Sequence, residues 1–384
     1  MRRMGTCVQW AALTAIGTWC ATGCVPATDG PEPINVAAGW QAEYVVADAA
    51  QPTALAFAAD GRVFYTEKST GNIRVVRDGV LAAQPLASVP VNSAGDRGLL
   101  GIALHPRFQD NRRVYVFYTR SDTGASTDDP RAFIDHRVVY FVVDEAEGVI
   151  STSGETFVAS IPVGEATTRI GGRIAFAADR TLLVAVGDGT DVNAAQDDEL
   201  YWGKVLRYND DGTIPDDNPD PASPIYARGF REPRGLTLDP DSGYVLLIER
   251  SQDGLHEVNR LQSGTNYGWP LVVGFATTPD ELAFVAEHDD YADPMMESTH
   301  QLVGGGVNPS TRYGTSLLLR LFFGWNEAAR VASVALSPEG TATVGVAEKF
   351  ATGLPTPIND VAFTPAGTLY IATDDAVLRV VEAP

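Results

Sequence analysis

Gly171–Asp188 reads GGRIAFAADRTLLVAVGD, and its pattern decides the fold. A short apolar strand that alternates small and large side chains runs into a polar turn, and a second, almost wholly apolar strand follows. The same unit recurs as PTALAFAADGRVFYTE from Pro52, GLLGIALHPRFQDNRRVYVFYT from Gly98, PRGLTLDPDSGYVLLIE from Pro233 and INDVAFTPAGTLYIATD from Ile358. The turn glycines and prolines supply the backbone angles that reverse the chain. Equivalent positions Phe57, Leu104, Phe176, Leu238 and Phe363 lie 47, 72, 62 and 125 residues apart. The last interval is twice the usual one, so a degenerate copy is expected within it, and GTSLLLRLFFGWNEAARVASVALSPEG from Gly314 is assigned that place. Six units of roughly 60 residues predict an all-β, six-bladed β-propeller over residues 39–384. A β-sandwich would not call for six copies of one supersecondary unit. The early strand QAEYVVAD is expected to pair with the last blade and close the ring.

Two connections are long and rich in Asp, Asn, Gly and Pro: DGTDVNAAQDDELYWG and YNDDGTIPDDNPDPASP. Loops of this length in a compact domain are usually functional, and both are expected around the mouth of the central channel.

The chain is acidic, with 28 basic and 49 acidic residues and a formal charge of −21. Such a surface lacks the cationic footprint of a nucleic-acid binder. At the N-terminus, Arg2 and Arg3 precede a short apolar stretch from Ala11 to Gly23, too short for a stable bilayer span. All three cysteines, Cys7, Cys20 and Cys24, fall in this segment. Ala21-Thr22-Gly23-Cys24 resembles a bacterial lipobox, although Ala21 stands where leucine is usual. Residues 1–23 are therefore expected to be an export signal and Cys24 a lipidation site. Residues 24–38 are expected to be a lipidated tether that links the propeller to the cell envelope. The processed domain would have no disulfide and no cysteine nucleophile.

Four stretches carry a family resemblance: RGLLGIALHPRF, GGRIAFAADRTLLVAVGD, GKVLRYNDDGTIPDDNP and EVNRLQSGTNYGWP. In this order and at these intervals they are similar to the glucose/sorbosone dehydrogenase family over roughly residues 45 to 382. The resemblance implies pyrroloquinoline quinone, held with calcium at the top of the channel, and oxidation of an aldose at its anomeric carbon. It places Asp96, Arg169, Arg231, Glu232 and Gln252 at cofactor-contacting positions. It also puts the backbone carbonyls of Ser251 and Gln252 at calcium. Several of these positions depart from the family pattern. Arg169 stands where the family carries its histidine base, and a guanidinium cannot accept a proton near neutral pH. Glu232 replaces an amide beside Arg231, and Pro357 and Asn359 stand where two arginines are expected.

Arg169, Arg231, Arg234 and Arg250 are expected near the mouth. They would either attract an anionic ligand or be bridged to Asp96 and Glu232. Five histidines, His105, His136, His256, His288 and His300, form no HExxH pair; His300 is the one considered as a substitute base. EHDDYAD from Glu287 reads as a solvated acidic loop or, less readily, a calcium loop. Two functions therefore stand side by side: an exported quinone-dependent oxidoreductase, or a non-catalytic propeller that binds a sugar, an anionic ligand or a protein.

Overall fold

A computed structural model describes residues 33–384 except 147, 148, 163 and 253. Residues 1–32, which include the expected signal and Cys24, lie outside the described residues. Six antiparallel sheets form the domain, and five of them start with the short strand anticipated from the repeats. These inner strands are Pro52–Phe57, Leu99–Leu104, Gly171–Phe176, Pro233–Leu238, Leu302–Val307 and Ile358–Phe363. Each packs against the inner strand of the next blade, and Ile358–Phe363 packs back on Pro52–Phe57, so the sheets close a ring. The fold is a six-bladed β-propeller. Trp40–Ala47 pairs with Ala376–Glu382 and completes the last blade, closing the ring with the first and last parts of the chain.

Second strands such as Val63–Glu67, Leu182–Val186, Val245–Glu249 and Leu369–Thr373 are buried at every residue. They are sandwiched between neighbouring blades, which explains why they read as unbroken apolar runs rather than alternating ones. Hydrophobic clusters between the blades form the core; one gathers Phe322, Phe350, Ile358 and Ile371 around Tyr313.

Three expectations need correction. The inner strand of the degenerate blade is Leu302–Val307, LVGGGV, and the segment from Gly314 supplies that blade's second and third strands, Arg320–Trp325 and Arg330–Leu336. Glycine is what hid it. A Cβ on Gly304 would strike the backbone of Val361, and one on Gly305 would strike the side chain of Ile248, so the large-small alternation cannot be written here. Second, Asn35–Val36 pairs with Thr343–Thr352, so strand pairing begins inside the stretch expected to be tether, ahead of Gly39. Third, the two long loops lie at opposite ends. Residues 187–203 follow a strand that runs toward the channel mouth, whereas residues 209–224 follow the next, antiparallel strand to the other end. There Asp210 meets His105 and Arg113 at the foot of the second blade.

Candidate functional site

Every inner strand carries a register shift near its start: Pro52/Leu55, Leu99/Gly101, Gly171/Arg173, Pro233/Gly235, Val303/Gly306 and Ile358/Asp360. A bulge re-aims a side chain and interrupts the ladder, and here six of them ring one end of the channel. The residues they displace, Thr53, Leu100, Arg234 and Asn359 among them, line a polar cavity of about 240 Å³. Loop residues Gln51, Lys68, Asp96, Arg250, Asn326 and Asp374 complete its wall, with Pro357 beside Asn359. Arg173 reaches up from the channel floor. Its guanidinium lies 3.6 Å from Asp360 and donates to the carbonyl of Asn359 at 2.5 Å. That ion pair separates the mouth cavity from a second, largely apolar cavity at the other end, which Arg173 and Asp360 also line.

Of the residues singled out in the sequence, Asp96, Arg234, Arg250, Pro357 and Asn359 line the mouth cavity. Glu232 sits just behind, buried, and bridges three guanidiniums: Arg234 in a direct hydrogen bond, Arg231 at 3.8 Å and Arg250 at 3.9 Å. Asp96 stands 3.5 Å from Arg234 and accepts the backbone N–H of Arg169 at 3.0 Å. Burial opposes the charge on Arg234, yet Glu232 and Asp96 hold its pKa above the ordinary arginine value.

Arg169 and Arg231 do not line the cavity. Arg169 adopts φ +58°, in the left-handed region, and its Nη1 donates to the fully buried Asp188 at 3.1 Å. Asp188 also accepts from the Trp269 indole at 3.0 Å, so YGWP ties this contact together. Arg231 Nη1 donates to the carbonyl oxygens of Arg250 and Ser251 at 3.2 and 3.3 Å. Ser251 is buried, and its N–H donates to His256 Nδ1 at 3.1 Å; Gln252 is exposed. The loop carbonyls expected to meet calcium thus include one already taken by a guanidinium.

The mouth is less cationic than four arginines in sequence imply. Arg169 is matched by Asp188, Arg173 by Asp360, and Arg231, Arg234 and Arg250 converge on Glu232, with Asp96 adding to Arg234. Lys68 donates to the Gly95 carbonyl at 2.5 Å. Burial lowers its pKa, and the charges of Asp96 and Asp374 act the other way. Arg250 is the most exposed of the arginines that converge on Glu232, with its side chain 37% exposed.

Lys68, Arg173, Asp188, Asp360 and Asp374 went unremarked in the sequence. The bulged positions share one feature: Thr53, Leu100, Arg234 and Asn359 are each the second residue of an inner strand.

His300 Nδ1 pairs with Glu327 at 2.9 Å and its ring lies tilted against Trp325, with centroids 4.5 Å apart. Gln301, next to it in the chain, and Asn326, next to Glu327, line the cavity, and His300 does not. In the acidic loop, Asp290 is engaged by Arg228 at 2.7 Å. Behind the site, Glu249 accepts the backbone N–H groups of Arg231 and Glu232 and lies across the strand pair from Glu257. Burial pushes both carboxyls up, Glu257 to about 7 and Glu249 well above the usual range, with Glu257's charge reinforcing the latter.

Comparison with known proteins converges on one family. The family described as glucose/sorbosone dehydrogenase matches residues 49–381. An aldose sugar dehydrogenase of Escherichia coli is 33% identical over 226 residues, covering 57% of this chain and 59% of its own. Quinoprotein glucose dehydrogenase B of Acinetobacter calcoaceticus is 31% identical over 284 residues, 67% of this chain and 57% of its own. The chain thus spans under two thirds of the length of these curated relatives. Among solved structures, the pyrroloquinoline quinone-bound aldose sugar dehydrogenase of Streptomyces coelicolor superposes with TM-score 0.72 at 26% identity. That match covers 90% of this chain and 99% of the other. The repeats, the bulged channel mouth and these matches agree: the chain belongs to the glucose/sorbosone dehydrogenase family.

Proposed function

We propose that this protein is a sugar-binding propeller of the family, exported and held at the bacterial envelope through a lipid on Cys24. On this reading its channel-mouth cavity takes a neutral, polyhydroxylated ligand without the family's standard quinone-linked oxidation. The observation that carries the proposal is the pairing of the mouth's guanidiniums with protein carboxylates. A site whose guanidiniums already face protein carboxylates has less to offer an anion. Its amide and carboxylate groups present the mixed donors and acceptors that sugar hydroxyls need. Asp96, Asn326 and Asp374 supply that set, while Thr53 Oγ1 and the Asn359 Nδ2 hydrogens are spent on Leu99, Pro52 and Asp374.

The residues present do not fit calcium and the quinone. Arg231 holds the Ser251 carbonyl, one of the two that the resemblance puts at calcium. Neutral Pro357 and Asn359 stand at two positions where the family resemblance calls for arginines. A buried carboxylate, Glu232, lies where a polycarboxylate would meet like charge. Arg169, in the base position, is turned onto Asp188 and has no proton-accepting nitrogen.

A second reading, quinone-dependent aldose oxidation, is favoured by the family match over residues 49–381 and by the quinone-bound relative. Calorimetric titration of the purified domain with aldoses, paired with dye-reduction assays after incubation with quinone and calcium, separates the two. Saturable sugar binding without dye reduction supports the proposal; sugar-dependent dye reduction selects the second reading. The anchor has its own test: Cys24→Ala should move the protein from membrane to soluble fractions, and continued membrane retention would refute lipidation.

A further inference from the structure

Arg231 and Glu232 are adjacent in sequence yet their side chains do complementary things. The Arg231 guanidinium lies against the carbonyl oxygens of Arg250 and Ser251, at 3.2 and 3.3 Å. Carbonyl oxygens on one short loop are the kind of hard donor that a divalent cation takes. The Glu232 carboxylate is 5% exposed and lies among the guanidiniums of Arg231, Arg234 and Arg250. Convergent guanidiniums are the usual receptor for an external carboxylate or phosphate.

The backbone fixes both residues from each side. Glu249 accepts their two N–H groups, the Arg231 carbonyl accepts from Asp188 N–H at 2.8 Å, and the Glu232 carbonyl accepts from Arg250 N–H at 3.0 Å. Arg231 is further placed over the Trp269 ring, 5.5 Å from its centroid.

We propose that the Arg231–Glu232 pair is a built-in ligand: its guanidinium takes carbonyl oxygens a divalent cation would hold, and its carboxylate fills the anion position formed by Arg234 and Arg250. The site is then complete without a metal ion or an external carboxylate. This deepens the sugar-binding reading, because a self-neutralised site is what leaves the adjoining cavity to an uncharged ligand.

The test is a pair of thermal-melting series on the folded domain. Glu232→Ala leaves a carboxylate-sized gap beneath the arginines, and acetate should refill it. Acetate at about 50 mM should raise the variant's Tm by roughly 5 °C, against about 1 °C or less for the unaltered chain. In the second series, calcium and EDTA should leave the unaltered chain's Tm in place. Arg231→Met, which frees the two carbonyls, should gain a calcium-dependent rise.

A Glu232→Ala chain that folds and shows no acetate response overturns the carboxylate half of the proposal. Calcium-dependent stabilisation of the unaltered chain overturns the guanidinium half. If Glu232→Ala fails to fold even in acetate, the calcium series on the unaltered chain decides. Sugar titrations of the unaltered chain run alongside: failure to bind sugar would count against the proposed function and leave the acetate and calcium results readable on their own.

Discussion

The two ends of the channel are built from the same six strands and could hardly differ more. At the far end the inner strands are regular, and small and large apolar side chains such as Ala56, Phe57, Leu104, Phe176, Leu238 and Phe363 line the cavity. At the mouth the strands bulge, and the wall is made of charged and amide side chains drawn from strands and loops. The Arg173–Asp360 pair is the boundary between them. Where the ladder stays regular, geometry is dictated by the repeat and side chains only fill space. Where every blade bulges, one residue per repeat is released from packing, and the loops decide what surrounds it.

The boundary should be the costliest place to break. Asp360 accepts the N–H groups of Leu55 and Val361 at 2.9 and 3.1 Å as well as facing Arg173. Asp360→Ala leaves a buried guanidinium and two backbone donors unmatched and should cost about 3–5 kcal/mol in denaturant unfolding. A cost below about 1 kcal/mol would mean that water reaches the pair and the two cavities are one channel.

Inner-strand packing comes next. A Cβ on Gly235 would fall on the carbonyl of Gly304 in the neighbouring blade, so Gly235→Ala should destabilise by about 1–3 kcal/mol. A neutral result would show that the blades slide apart easily at the axis.

The carboxyls behind the mouth give a pH signature. Glu257 is held protonated in the fold up to about 7, against 4.5 ordinarily. Between those values the unfolded chain releases its proton while the folded chain keeps it. Stability is therefore full below pH 4.5, falls as pH rises through the window and levels off above about 7. Glu257→Gln should flatten this slope and stabilise the protein at pH 8 by on the order of 1–3 kcal/mol. An unchanged melting-temperature profile between pH 5 and pH 8 in the variant would place the titration elsewhere.

The smallest effect belongs to the far end. Thr237→Val on its wall should change stability by less than about 1 kcal/mol and leave sugar binding at the mouth unaltered. A loss of sugar binding would mean that the ligand enters from the apolar side.

What could be read from the sequence follows the same division. Five inner strands and the ring closure through Trp40–Ala47 were legible because burial on a pleated strand imposes alternation. The strand Leu302–Val307 was not, since contact with Val361 and Ile248 requires glycine, which has no hydropathy signature. At the mouth, Asp96, Pro357 and Asn359 were found by resemblance, and Arg234 and Arg250 as arginines expected nearby. Their pairing was left open, because whether an arginine is free or matched depends on which side chains the fold brings together, as it brings Asp188 to Arg169. Arg169 shows the point most sharply: its identity was plain, but it pairs with Asp188 and does not line the cavity.

The central claim is that the mouth is neutralised from within and does not take the family's anionic cofactor. Calorimetric titration of the folded domain with pyrroloquinoline quinone in calcium-containing buffer tests it most directly. The account predicts no saturable heat at micromolar quinone. Stoichiometric, calcium-dependent binding in that range would contradict it.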